Sequence, residues 1–191
     1  MIWEWIGEIV LAGVLIAAAV SDLRGGKVYN GLTYPAILVG LAFGWMEGWW
    51  EGAARESIVN HLAGFGFGFV VLFVPFLLGG MGGGDVKLVG AVGAFLGWPG
   101  VVYAMFYSFL VGVVIGLVLM VWRGQTATVL RRLGVAVRLL PLPSVTMDEA
   151  LPVTSLRVPF AFAVCVGTLW WVVEKEAGGS LYGLIAGLVG W

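Results

Sequence analysis

Two carboxylates stand where they could do chemistry. Asp85 follows Gly79-Gly80-Met81-Gly82-Gly83-Gly84, a glycine-rich break between an apolar run ending at Leu78 and another beginning at Val86. Asp22 closes the first apolar run. An acid at the edge of hydrocarbon is costly to bury, which makes each a candidate functional group. Two carboxylates sharing one site do not both ionise easily, and one proton is held between them. The ionised member can then take a proton from water while the protonated member polarises a carbonyl. That is general acid–base hydrolysis of an amide, without a metal or a covalent intermediate. Little else competes. The sole histidine, His61, reads as a packing residue remote from both acids. No serine or cysteine has a base beside it. Cys165, the one cysteine, lies within an apolar run and reads as a small buried hydrophobe, leaving neither a disulfide nor a cysteine-based zinc site. No cofactor and no metal are expected, although two carboxylates would suit a hard cation.

The elements that must position these acids are membrane helices. The chain has 191 residues, 61% hydrophobic and 11% charged, with a mean hydropathy of +1.03. Apolar segments run over about 5–22, 32–48, 58–78, 86–98, 100–122 and 157–173, with a shorter tail segment at about 180–190. Several approach the roughly 20 residues a helix needs to span a bilayer. The expectation is an all-α, polytopic bundle of about six transmembrane helices. It would form one membrane-embedded domain over 1–191, with a cytoplasmic loop at about 123–157. Glu4 and Glu8 flank the first segment where a signal peptide would be basic, so that helix is expected to stay in the protein.

Charge bias sets the orientation. With the loop Leu23–Gly31 inside, the inner segments hold Arg24, Lys27, Lys87, Arg123, Arg131, Arg132, Arg138 and Arg157, and the outer ones keep only Arg55 and Lys175. Glu4, Glu8, Glu47, Glu51, Glu56, Glu174 and Glu176 then fall outside, with Trp3, Trp5, Trp45, Trp49, Trp50, Trp98, Trp170 and Trp171 near the outer interface as an aromatic belt. Val86–Trp98 is short for a span. Helix parity makes it a crossing helix ended by Pro99-Gly100 rather than a re-entrant hairpin. Small residues recur at Gly40/Gly44/Gly48, Gly64/Gly68, Gly93/Gly97, Gly112/Gly116 and Gly183/Gly187, each spacing permitting close helix contact. In the inner loop, Val129, Leu130, Leu133, Val137 and Leu140 form one face of an amphipathic helix suited to anionic lipid.

This topology puts Asp22 at the inner end of the first helix and Asp85 at the inner start of the fourth. Whether those helices are neighbours does not follow from charge bias. Asp22 could instead pair with Arg24 or Lys27, and Asp85 could simply cap its helix. Lys87 lies on a different helix face from Asp85 and reads as an inner anchor. The macrodipole favours an anion at a helix start and disfavours one at a helix end, so Asp85 is expected to hold the charge and Asp22 the proton.

Three stretches together resemble the type IV prepilin peptidases, membrane aspartic proteases of the GxGD type. They are Ser21-Asp22-Leu23-Arg24 with Lys27-Val28-Tyr29-Asn30, Gly82-Gly83-Gly84-Asp85-Val86-Lys87-Leu88, and Val158-Pro159-Phe160-Ala161-Phe162-Ala163. The resemblance implies that Asp22 and Asp85 are catalytic and that Gly82 and Gly84 support them. Arg24, Lys27, Asn30, Lys87 and Pro159 would make substrate or loop contacts. It further implies cleavage of a short basic leader from a prepilin or preflagellin at the cytoplasmic face of the inner membrane. Substrate and membrane lipid are the expected partners, with no nucleic acid and with a homo-oligomer left open. Val28-Tyr29-Asn30 departs from the family's isoleucine-proline-asparagine. The paired-cysteine domain of many bacterial members has no counterpart here, so the short form is expected, without N-methylation. The acids Asp148 and Glu149 could attract a basic leader. Two other readings are a protease of the presenilin or signal-peptide-peptidase type and a small proton or cation transporter. The placement of both acids at one membrane edge speaks against each.

Overall fold

The computed structural model describes residues 2–124, 126 and 159–178. Among these, the regular elements are five helices: α1 (Ile2–Gly25), α2 (Asn30–Glu51), α3 (Ala54–Leu77), α4 (Gly83–Trp122) and α5 (Phe160–Glu176). The chain is an all-α membrane bundle. Three stretches, Trp3–Gly25, Ala54–Leu77 and Gly83–Trp122, are long and apolar enough to cross a membrane. The amphipathic stretch 129–140, Asp148, Glu149 and the tail segment at 180–190 lie outside the described residues.

Two of the expected segments, 86–98 and 100–122, are joined in α4 across a break. At Gly97 φ is +64°, a left-handed conformation that favours glycine, and Trp98 is extended. A break leaves backbone donors without helical partners. Asn60 of α3 meets one of them: the Trp98 N–H donates to Asn60 Oδ1 at 3.1 Å.

The contacts divide the chain into two compact units, 1–112 with 159–191, and 113–158. In the larger unit the first half of α4 is a central post. Val86 and every residue from Leu88 to Phe95 are buried. Its glycines explain how the other helices come so near. A Cβ on Gly93 would run into the Gly64 carbonyl of α3, and one on Gly40 of α2 would lie 2.9 Å from the Ala94 carbonyl carbon. The buried face of α2 is Thr33, Ala36, Gly40, Gly44 and Gly48, the last three being the small-residue stripe read from the sequence. The His61 ring of α3 lies in the notch left by Gly44. Past the break, Gly167 of α5 packs on the backbone of Ser108, and Trp171 stacks on Tyr103.

These packings explain why Val86–Trp98 is short: it is surrounded by protein on all sides. They also correct the aromatic belt. Trp5, Trp45, Trp49, Trp50 and Trp170 are exposed as expected, but Trp171 is only 5% exposed and belongs to the core. In the second unit, the described turns of α4 present Val113, Val114, Leu117, Val118, Val121 and Trp122 outward, a surface suited to lipid.

Candidate active site

The site is built where α1 ends, α2 and α4 begin, and α5 begins. Asp22 lies in the last turn of α1. The Gly26 N–H donates to the Asp22 carbonyl at 2.6 Å, and Ser21 Oγ donates to the Lys27 carbonyl at 2.6 Å. These two bonds curl the segment after α1 back over the helix end. The curl places Val28 against the glycine turn: a Cβ on Gly84 would lie 2.8 Å from the Val28 carbonyl oxygen and 3.1 Å from its Cβ. Gly84 is thus required by packing, and the segment after Asp22 touches the residue before Asp85.

Asp85 is the third residue of α4, and its N–H donates to the Gly82 carbonyl at 3.1 Å. One carboxylate oxygen lies 3.2 Å from where a Gly82 Cβ would be. The side chain therefore folds back toward the start of its own helix, the posture of an acid in a capping box. Both aspartates are half-buried.

Lys87 and Asn30 tie the two helix starts together. Lys87 Nζ donates to Asn30 Oδ1 at 2.9 Å and sits 4.7 Å from the centre of the Tyr34 ring. The anchor reading of Lys87 thus gains a partner that spacing could not supply. Arg24 and Lys27 are exposed, and Pro159 is the N-cap of α5.

One contact has no counterpart in the side-chain pattern. The backbone N–H of Ala161, in the first turn of α5, donates to Asp22 Oδ2 at 2.9 Å. Asp22 thereby faces a helix N-terminus as well as closing a helix C-terminus. Set between two helix ends of opposite sign, Asp22 is no longer set apart from Asp85 by the macrodipole of α1.

The other end of the helices carries different chemistry. His61 is buried, its Nδ1 2.9 Å from the Ala94 carbonyl and its Nε2 3.5 Å from Glu47 Oε2. That is the packing role expected of it, remote from Asp22 and Asp85. Lys175 Nζ pairs with Glu8 at 3.0 Å, and the Tyr107 hydroxyl donates to Glu174 at 2.8 Å. Glu4, Glu47 and Glu51 bring carboxylate oxygens within 4.8 Å of one another. Glu51 is exposed and the other two half-buried, an arrangement that surface acids adopt without an ion.

The model of the type IV leader peptidase family matches residues 9–117, which include Asp22, the glycine turn and Asp85. The chain belongs to the type IV leader peptidase family. Among similar proteins are three prepilin leader peptidase/N-methyltransferases. That of Burkholderia pseudomallei (strain 1026b) is 32% identical over 119 residues, covering 60% of this chain and 37% of the relative. That of Neisseria gonorrhoeae is 31% identical over 128 residues, covering 64% and 44%. That of Xanthomonas campestris pv. campestris is 33% identical over 130 residues, covering 64% and 43%. The chain therefore spans less than half the length of these relatives. No solved structure matches. Within this leader peptidase family the matched stretch stops before Pro159, so the place of α5 at the site rests on geometry alone.

Proposed function

We propose that this chain is a membrane aspartic endopeptidase in which Asp22 and Asp85 share the acid–base work. Its substrates would be type IV prepilin-like or preflagellin-like proteins, cut after a short basic leader at the inner face of the cytoplasmic membrane. The observation that carries this reading is the packing of Gly84 on Val28, which lays the Asp85 turn against the segment that follows Asp22. The names of the relatives support the substrate class. The charge bias of the loops supports the inner face, and the apolar surfaces support lipid as the surrounding partner.

In the proposed step, the ionised acid takes a proton from water as the water oxygen attacks the scissile carbonyl carbon. The protonated acid gives its proton to the carbonyl oxygen. Collapse of the tetrahedral diol breaks the C–N bond: the second acid takes back a hydroxyl proton as the new carbonyl forms, and the first acid gives its proton to the leaving amine. Each member needs the other in the opposite protonation state, so loss of either removes the whole step.

Co-expression with a candidate prepilin tests this. Leader removal by the wild-type chain, absent in Asp22→Ala and Asp85→Ala, is expected. Cleavage surviving either substitution refutes the pairing. No cleavage of any prepilin, together with proton or cation flux in liposomes, would replace the peptidase by a transporter.

A further inference from the structure

We infer that the start of α5 is a positioning element for Asp22, acting through the Ala161 N–H. The inference rests on the peptidase reading and extends it to a stretch outside the family match.

The first-turn N–H groups of a helix have no partner within the helix, and a serine, threonine, asparagine or aspartate at the N-cap ordinarily accepts from one of them. In α5 the N-cap is Pro159, whose side chain has no acceptor, and no side-chain cap is made. The N–H of Ala161 is left for another acceptor. Asp22 Oδ2 takes it at 2.9 Å, from a residue 139 positions away. In effect Asp22 caps α5 from a neighbouring helix. The donor is firmly held: Ala161 and Ala163 are fully buried, and the Phe160 ring packs at 6.2 Å from Phe109. With Oδ2 engaged, Oδ1 is the oxygen left to meet water or substrate. A hydrogen bond to one carboxyl oxygen restrains rotation of the group, so the contact orients the Asp22 carboxyl.

The same geometry gives Pro159 a second role besides the start of a helix. A residue able to cap locally would compete with Asp22 for the Ala161 N–H. Proline cannot.

The decisive test removes the donor and keeps the side chain. Alanine 161 is replaced by its α-hydroxy analogue through nonsense suppression in a cell-free system with nanodiscs, turning the N–H into an ester oxygen. Ala161→Gly, which keeps the N–H, is the conservative control. Pro159→Ser adds a local competitor. Prepilin cleavage is followed as kcat and KM separately. The expected result is a fall in kcat on the order of 10- to 100-fold for the ester, the scale at which small misplacement of a catalytic group acts, with KM within about twofold. The serine variant is expected to fall less far while its thermal midpoint stays level or rises, and Ala161→Gly, which keeps the donor, is expected to lose less kcat than the ester. A merely structural helix start would gain from the serine cap and lose nothing in kcat. An unchanged kcat in the ester overturns the inference, as does a rise in KM with kcat preserved, which would make the segment a substrate contact.

Failure of the peptidase reading is seen separately, as no cleavage by the wild-type chain. The carboxylate stretch of Asp22, isolated by subtraction of the Asp22→Asn spectrum, then decides. A band shifted by the ester upholds the positioning bond, and an unshifted one overturns it.

Discussion

Gly84→Ala isolates the link between the two acids. The new Cβ would lie 2.8 Å from the Val28 carbonyl oxygen, where ordinary contact begins at 3.4 Å. Backbone, not a flexible side-chain tip, is in the way, so the segment after α1 or the turn before α4 must move by about 0.6 Å to restore contact. Catalytic groups are held to roughly 0.5 Å, and a displacement near 1 Å can lower turnover by about 100-fold. The expected outcome is a 10- to 100-fold loss in kcat, on the order of 1.4 to 2.7 kcal/mol in activation free energy. KM should change little, because the contact does not bind substrate. The assay is cleavage of a prepilin peptide by protein in nanodiscs, with the thermal midpoint measured in parallel. Gly31→Ala is the comparison, near the same helix starts, where a Cβ would meet nothing within 4 Å. Wild-type kcat in Gly84→Ala, or an equal loss in Gly31→Ala, would refute the claim that this contact sets the geometry of the pair.

Other outcomes can be stated more briefly. Gly93→Ala drives a methyl into the Gly64 carbonyl between two backbones, so it is expected to lower the thermal midpoint sharply in detergent and to reduce folded yield. Asn60→Leu leaves the Trp98 N–H at the α4 break without its acceptor; a destabilisation of about 1–3 kcal/mol is expected in reversible unfolding. Lys87→Met and Asn30→Ala each remove the same exposed bond, so each should cost no more than about 1 kcal/mol, and the double variant no more than either alone.

Much of this arrangement is legible in the sequence because helix parity and charge bias act together. Once the loop with Arg24 and Lys27 is assigned to one side, Asp22 and Asp85 must share an end, whatever the helices do laterally. The stripe Gly40, Gly44 and Gly48 is legible for a similar reason, since only glycine lets an α2 backbone approach α4 so closely. Other features leave no such trace. A tryptophan near a helix end looks the same whether it meets lipid or a core, so no letter sets the buried Trp171 apart from the exposed Trp170. The bond from Ala161 to Asp22 uses a backbone donor that every residue but proline carries, so no letter announces it. Pro159 is the nearest thing to a signal, a helix start with nothing to cap it. The partnership of Lys87 with Asn30 spans 57 positions and depends on lateral packing of α2 and α4, which charge counting does not determine.

The enclosure of the first half of α4 bears on how the protein is made. The thirteen residues of Val86–Trp98, Lys87 among them, are too few to dwell alone in a bilayer, and their glycines offer lipid chains little to grip. This post gains its stability from the neighbours that wrap it. Its length, freed from matching the thickness of any particular membrane, answers to the protein alone.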